Sequence, residues 1–157
     1  MAKTKLMLFV CTANMCRSPM AEYMFRKEAG PDSGWRVASS GIAAASGAPA
    51  SEAAVEIMNE LGLDLSAHRS QPLTRELVDE AELIVVMTAE HAARLLWRFP
   101  DAGSKIRLLA SFVPNGETEE EDIPDPVGFG EFVYRGVRDL IAAAIPGLLE
   151  YVRRTRN

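Results

Sequence analysis

From Leu6 to Val10 the chain is apolar without a break, Leu-Met-Leu-Phe-Val, which is the length and character of a strand covered on both faces. With Lys5 in front, this segment is predicted as the first strand. The residues that follow, Cys11 to Ser18, are mostly polar, and then Met20, Ala21, Met24 and Phe25 recur at helical spacing. Pro19 suits the first turn of that helix and Gly30 its end.

The alternation continues along the chain. Trp35 to Ser39 reads as a second strand, and Ala53 to Leu61 as a helix that Gly62 ends. Glu82 to Met87, with its Leu-Ile-Val-Val core, is a third strand, and Thr88 can cap a helix running to about Phe99. Lys105 to Leu109 is a fourth, short strand. From Phe129 onward, Phe132, Val133, Val137, Leu140, Ile141, Leu148 and Leu149 mark a long amphipathic helix, kinked at Pro146. The Ala/Gly/Ser-rich segment Gly41 to Ser51 reads as a surface loop. Strands alternating with helices predict an α/β fold: a three-layer sandwich with a four-stranded parallel sheet and a loop, Cys11 to Ser18, at the carboxyl ends of the strands where ligands bind. Neither an internal repeat nor an interdomain linker is visible, so residues 1–157 are expected to form a single domain.

Composition narrows the function. At 48% hydrophobic and 25% charged, the 157 residues match an ordinary globular domain. A net charge of -5 excludes a general nucleic-acid binder, whose affinity comes from clustered Lys and Arg, so any anion site must be local. Apolar stretches fall well short of the roughly 20 residues that span a bilayer, and membrane insertion is not expected. Lys3 and Lys5 precede an apolar run that leads into a polar loop rather than a cleavage site, which predicts a cytoplasmic protein without a signal peptide. Two cysteines, Cys11 and Cys16, are too few for a disulfide framework and fit thiol chemistry in a reducing compartment. The two histidines have no metal-ligand spacing, and no cofactor is implied.

A loop between a strand and a helix N-terminus can turn its backbone N–H groups inward and cradle an anion. The same field favours a thiolate, which makes Cys11 a candidate nucleophile. Arg17 supplies a planar fork able to hold two phosphate oxygens, and Ser18 a hydroxyl able to donate to the sulfur. Asp125, followed by Pro126 just before the last helix, is a candidate proton donor, although it also closes the acidic run from Glu117. His91 and Trp97 fall in a helical pattern and receive no role.

Cys-x5-Arg-Ser-Pro near the N-terminus resembles the phosphate loop of low-molecular-weight protein tyrosine phosphatases, and further matches extend over nearly the whole chain. The resemblance implies phosphomonoester hydrolysis on phosphotyrosine-type protein substrates through a phosphocysteine, with Cys11 as nucleophile, Arg17 as clamp and Asp125 as general acid and base. It implies that Thr12, Ala13, Asn14, Met15, Cys16 and Ser18 form the phosphate loop. Ser39-Ser40-Gly41 resembles the family's Ser-Gly step, with Ser40 beneath the loop, and Ala67-His68-Arg69-Ser70 a segment whose histidine, His68, bonds Asn14. Two features depart from the tyrosine-specific pattern. Val127-Gly128 stands where many members carry two aromatic residues lining a slot for a phenyl ring, with small residues Ala43 to Gly47 expected on the other wall. Asp-Pro-x-Gly and Met87-Thr88 are nearer the bacterial branch that includes protein arginine phosphatases, whereas Met15 replaces the threonine those enzymes carry after the loop asparagine. Arsenate reductases share the fold and loop but relay electrons through further cysteines, and none follows Cys16. A phosphate-binding module would need neither Cys11 nor Asp125. Cys11 is expected to be sensitive to oxidation, with Cys16 near enough to pair with it.

Overall fold

The computed structural model describes residues 4–114 and 122–155; Lys3 and the Glu117–Glu121 part of the acidic run lie outside the described residues. Four parallel strands form one sheet: β1 (Lys5–Cys11), β2 (Trp35–Gly41), β3 (Ala81–Val86) and β4 (Ile106–Leu108), in the order β2-β1-β3-β4. Helices cover both faces, α1 (Arg17–Ala29), α2 (Glu52–Asn59), α3 (Arg75–Glu80), α4 (Ala89–Arg98) and α5 (Glu131–Thr155).

The unbroken apolar run of β1 is explained by its central position. Met7, Phe9 and Cys11 face one core with Met20 and Phe25 of α1, Ile57 of α2, and Ile141 and Leu148 of α5. The alternate residues Leu6, Leu8 and Val10 face a second core with Val78 of α3, Leu95 of α4 and Phe99. Both faces are dry, so the period-2 alternation is invisible in the sequence.

Element ends follow local chemistry. Ser51, Thr74 and Thr88 cap α2, α3 and α4, each hydroxyl accepting from the backbone N–H three residues on. Gly62 adopts φ 76 just beyond α2. The C-terminal helix begins at Glu131 rather than Phe129 and continues through Pro146 to Thr155. β2 extends two residues past the expected end, to Gly41. Helix α3 and two short 3-10 turns, Pro100–Lys105 and Leu109–Phe112, are additions to the sequence reading. Among the described residues, no helix is long and apolar enough to cross a membrane.

Candidate active site

Cys11 ends β1, the loop Thr12 to Cys16 follows, and Arg17 opens α1. Neighbouring strands deliver the rest at the same edge: Ser39 to Gly41 from β2, and Met87 just after β3. None of the backbone N–H groups from Thr12 to Ser18 donates to a protein acceptor among the described residues. Asn14, Cys16, Arg17 and Ser18 are buried, and buried N–H groups are almost always paired, so unpaired ones at a helix N-terminus are able to take an anion. The loop's carbonyls, by contrast, are tied down. Cys11 O accepts from Ile42 N at 3.0 Å, Thr12 O from Ala43 N at 2.9 Å, and Met15 O from Ser51 N at 2.9 Å.

Asn14 is the pivot of this arrangement. It is the non-glycine residue with positive φ among those described (58°), a conformation asparagine tolerates better than most. Its amide Nδ2 donates to Ser18 Oγ at 2.8 Å and to Ser39 Oγ at 2.9 Å. Its Oδ1 accepts from Gln71 N at 3.0 Å, and its carbonyl accepts from His68 Nε2 at 2.7 Å. Because Ser18 Oγ already accepts from Asn14, its one hydrogen is left to be shared between Cys11 Sγ, 2.9 Å away, and the more distant Ser40 O at 3.4 Å. The Ser39 hydroxyl donates in the opposite direction, to Glu22 Oε1 at 2.6 Å, and Arg26 neutralises the other oxygen of Glu22. Asn14 thus orients two hydroxyls, one toward the thiol and one toward a buried carboxylate.

Ser40 does not play the part expected of it. Its Oγ has no partner among the described residues, and its contribution is a carbonyl 3.4 Å from Ser18 Oγ. The working hydroxyl beneath the loop belongs to Ser39. Successive side chains point to opposite faces of a strand, so of two adjacent serines one meets Asn14. Sequence reasoning also passed over Glu22, Gln71 and His91. His91 Nε2 lies 2.8 Å from Thr12 Oγ1. Burial and, secondly, the Arg17 guanidinium push its pKa down to about 4, which keeps the ring neutral at pH 7. The one available signal for these residues was polarity inside an otherwise apolar pattern.

Arg17 is 5% exposed; its Nη1 donates to Ile123 O at 3.0 Å and its Nη2 lies 3.7 Å from Asp125 Oδ2. Ile123 is itself held to the end of β3 by its N–H on Met87 O at 2.7 Å. Asp125 is 53% exposed, and its Oδ1 accepts from Val127 N at 3.1 Å. Cys11, Thr12, Ala13, Met15, Cys16, Arg17, Asp125 and Val127 line one cavity of about 170 Å³. Ala43 to Gly47, expected as its other wall, instead packs behind the loop and against Ser70. Phe129 is 64% exposed and lies outside the lining. Burial and, secondly, the charge of Cys11 beside it push the Cys16 thiol up to about 12. Among the described residues no cluster of side chains could hold a metal ion.

A sequence model of the family described as low molecular weight phosphotyrosine protein phosphatase matches residues 6–157. The chain belongs to that family. It is 40% identical over 143 residues to a protein-arginine-phosphatase of Geobacillus stearothermophilus, covering 91% of this chain and 93% of that one. It is 46% identical over 123 residues to the probable low molecular weight protein-tyrosine-phosphatase EpsP of Ralstonia solanacearum, covering 78% of each. A solved structure of a YwlE arginine phosphatase mutant with a phosphorylated active site serine superposes with TM-score 0.87 at 32% identity, covering 96% of this chain and 97% of that one.

Proposed function

We propose that the protein hydrolyses phosphomonoesters of phosphotyrosine-type protein substrates through a phosphocysteine at Cys11. The observation that carries this reading is the run of unpaired loop N–H groups closed around Cys11 and Arg17, with Asp125 on the rim of the same cavity. In the first step the Cys11 thiolate attacks phosphorus, the P–O bond to the substrate breaks, and the leaving oxygen takes the proton of Asp125. Arg17 turns from Asp125 to two equatorial phosphoryl oxygens, a bidentate hold that strengthens as charge spreads over them. This exchange releases the Asp125 carboxyl at the moment it is needed, and a 3.7 Å contact to a half-exposed carboxylate resists it little. In the second step the Asp125 carboxylate takes a proton from water, the water oxygen bonds to phosphorus, and the S–P bond breaks. The sulfur regains its anion, which the Ser18 hydroxyl stabilises.

A second reading is supported by the 40% identical protein-arginine-phosphatase, and by Asp125-Pro126-Val127-Gly128 and Met87-Thr88. Against it stands Met15, which lines the cavity beside Cys11 and offers an apolar floor for an aryl ring. Matched phosphotyrosine and phosphoarginine peptides separate the two. The account expects higher kcat/KM on phosphotyrosine and a shift toward phosphoarginine in Met15→Thr. Wild-type preference for phosphoarginine would establish the second reading.

The reading extends to a cytoplasmic location and to redox sensitivity, supported by two free, unbridged cysteines at one site. Oxidation of Cys11 to a sulfenic acid would be resolved by Cys16 in a disulfide. The Cys16 thiol, held protonated by burial, would do so slowly, in competition with further oxidation. Peroxide inactivation should be reversed by dithiothreitol in wild type and much less in Cys16→Ser; equal recovery would sink the resolving role.

A further inference from the structure

The phosphate cavity has neighbours along the surface. Thr12, on its wall, also lines a cavity of about 200 Å³ together with Ile42, Glu90 and Arg94. Those last three in turn line a third cavity, of about 440 Å³, which ends at Trp97 and Arg98. The first two cavities thus adjoin at Thr12 and the last two at Ile42, Glu90 and Arg94, which sets the three in a row from Cys11 outward. Glu90, Arg94 and Trp97 lie at i, i+4 and i+7 on α4, one face of a helix whose other face buries His91 and Leu95. The distance covered along α4 is roughly 10 Å, the reach of about three residues of extended chain.

The chemistry of this floor selects its occupant. Trp97 is 84% exposed, a large ring left open to solvent at the outer end of this row of cavities. Trp and Arg are the residues that most often anchor interfaces. Arg94 is paired to Glu90 at 3.1 Å, but both side chains are mostly exposed, so the pair is worth little and an incoming carboxylate can share the guanidinium. Arg98 stacks over Phe99 with its guanidinium 5.1 Å from the ring centroid, which fixes a second cation at the far end. On a chain of net charge -5, this strip carries two arginines against one glutamate.

Resting on the proposed protein-phosphatase activity, we infer that the groove from Thr12 to Arg98 binds the extended substrate segment next to the phosphorylated residue. An apolar side chain of that segment packs on Ile42 and Trp97, and an acidic one pairs with Arg94 and Arg98. Flank recognition is thereby separate from the chemistry at Cys11, and a small aryl phosphate does not use it.

The test is kcat/KM on phosphopeptides with a common phosphorylated residue and flanks rich in Glu and Leu, in Ala, or in Lys, beside p-nitrophenyl phosphate. Wild type should prefer the Glu/Leu flanks over Lys by about tenfold, the effect of one or two well-placed contacts. Arg94→Glu should reverse that preference, Trp97→Ala should remove the gain from Leu, and neither should change p-nitrophenyl phosphate hydrolysis. Equal wild-type rates across flanks overturn the groove, as does a loss in either variant that is the same for peptides and p-nitrophenyl phosphate. Hydrolysis of p-nitrophenyl phosphate with no turnover of phosphotyrosine or phosphoarginine peptides overturns instead the protein-phosphatase reading beneath it.

Discussion

Every polar atom of the Asn14 side chain has a partner, and its amide makes acceptors of two serine oxygens, which turns their hydrogens away from it. Ser39→Ala removes an acceptor from Asn14 and a donor from the buried Glu22 carboxylate. The expected cost is about 1–3 kcal/mol, because orphaned buried polar groups lose their solvation without compensation. Ser40→Ala removes a hydroxyl that has no partner among the described residues and should be nearly neutral. Thermal melts of the two variants decide this, and the opposite ranking would contradict the network. Cys11, Arg17, Ser18 and Asp125 stood out in the sequence as candidates because each side chain carries chemistry that few others can perform. Ser39 was not, since adjacent serines on a strand are told apart by which face they present. His91 stands 79 residues from its partner Thr12, and that pairing exists only after α4 docks beside β1.

At the scale of elements, the site depends on how closely the end of β2 approaches the phosphate loop. A Cβ on Gly41 would stand 2.5 Å from Thr12 O and 2.9 Å from Asn14 N, both backbone atoms. Backbone on both sides cannot step aside as a flexible side chain would. Gly41→Ala should therefore destabilise the fold by at least the ~1–3 kcal/mol of ordinary overpacking and also weaken inhibition by inorganic phosphate. A variant with wild-type melting temperature and phosphate inhibition would show that the close approach is not required. Strands β1 and β3 and helices α1 and α4 were readable from apolar runs, spacing and the Thr88 cap. α3 escaped because its six residues, little more than one turn, show no period, and the 3-10 turns have no period to show. The Gly41 to Ser51 segment looked like plain surface loop because its work is done by backbone N–H groups, to which composition is blind.

For the whole molecule, alternation of strands and helices was enough to predict a parallel sheet with its site at the carboxyl ends, while the order β2-β1-β3-β4 was not legible. Which strands neighbour one another depends on crossovers between cores that use the same residue types. The order matters, because placing β1 between β2 and β3 brings Ser39, Gly41 and the Ile123 anchor around one cysteine. All of these converge on a covalent phosphoryl transfer to Cys11, with Asp125 serving both steps. In Asp125→Asn an activated leaving group departs without its acid, whereas hydrolysis of the intermediate lacks its base. The direct test is rapid-quench mass spectrometry of Asp125→Asn mixed with p-nitrophenyl phosphate. The account predicts a burst of p-nitrophenol close to one equivalent and a peptide containing Cys11 heavier by one phosphoryl group, absent in Cys11→Ala. Turnover with no burst and no phosphorylated Cys11 at any quench time would contradict it.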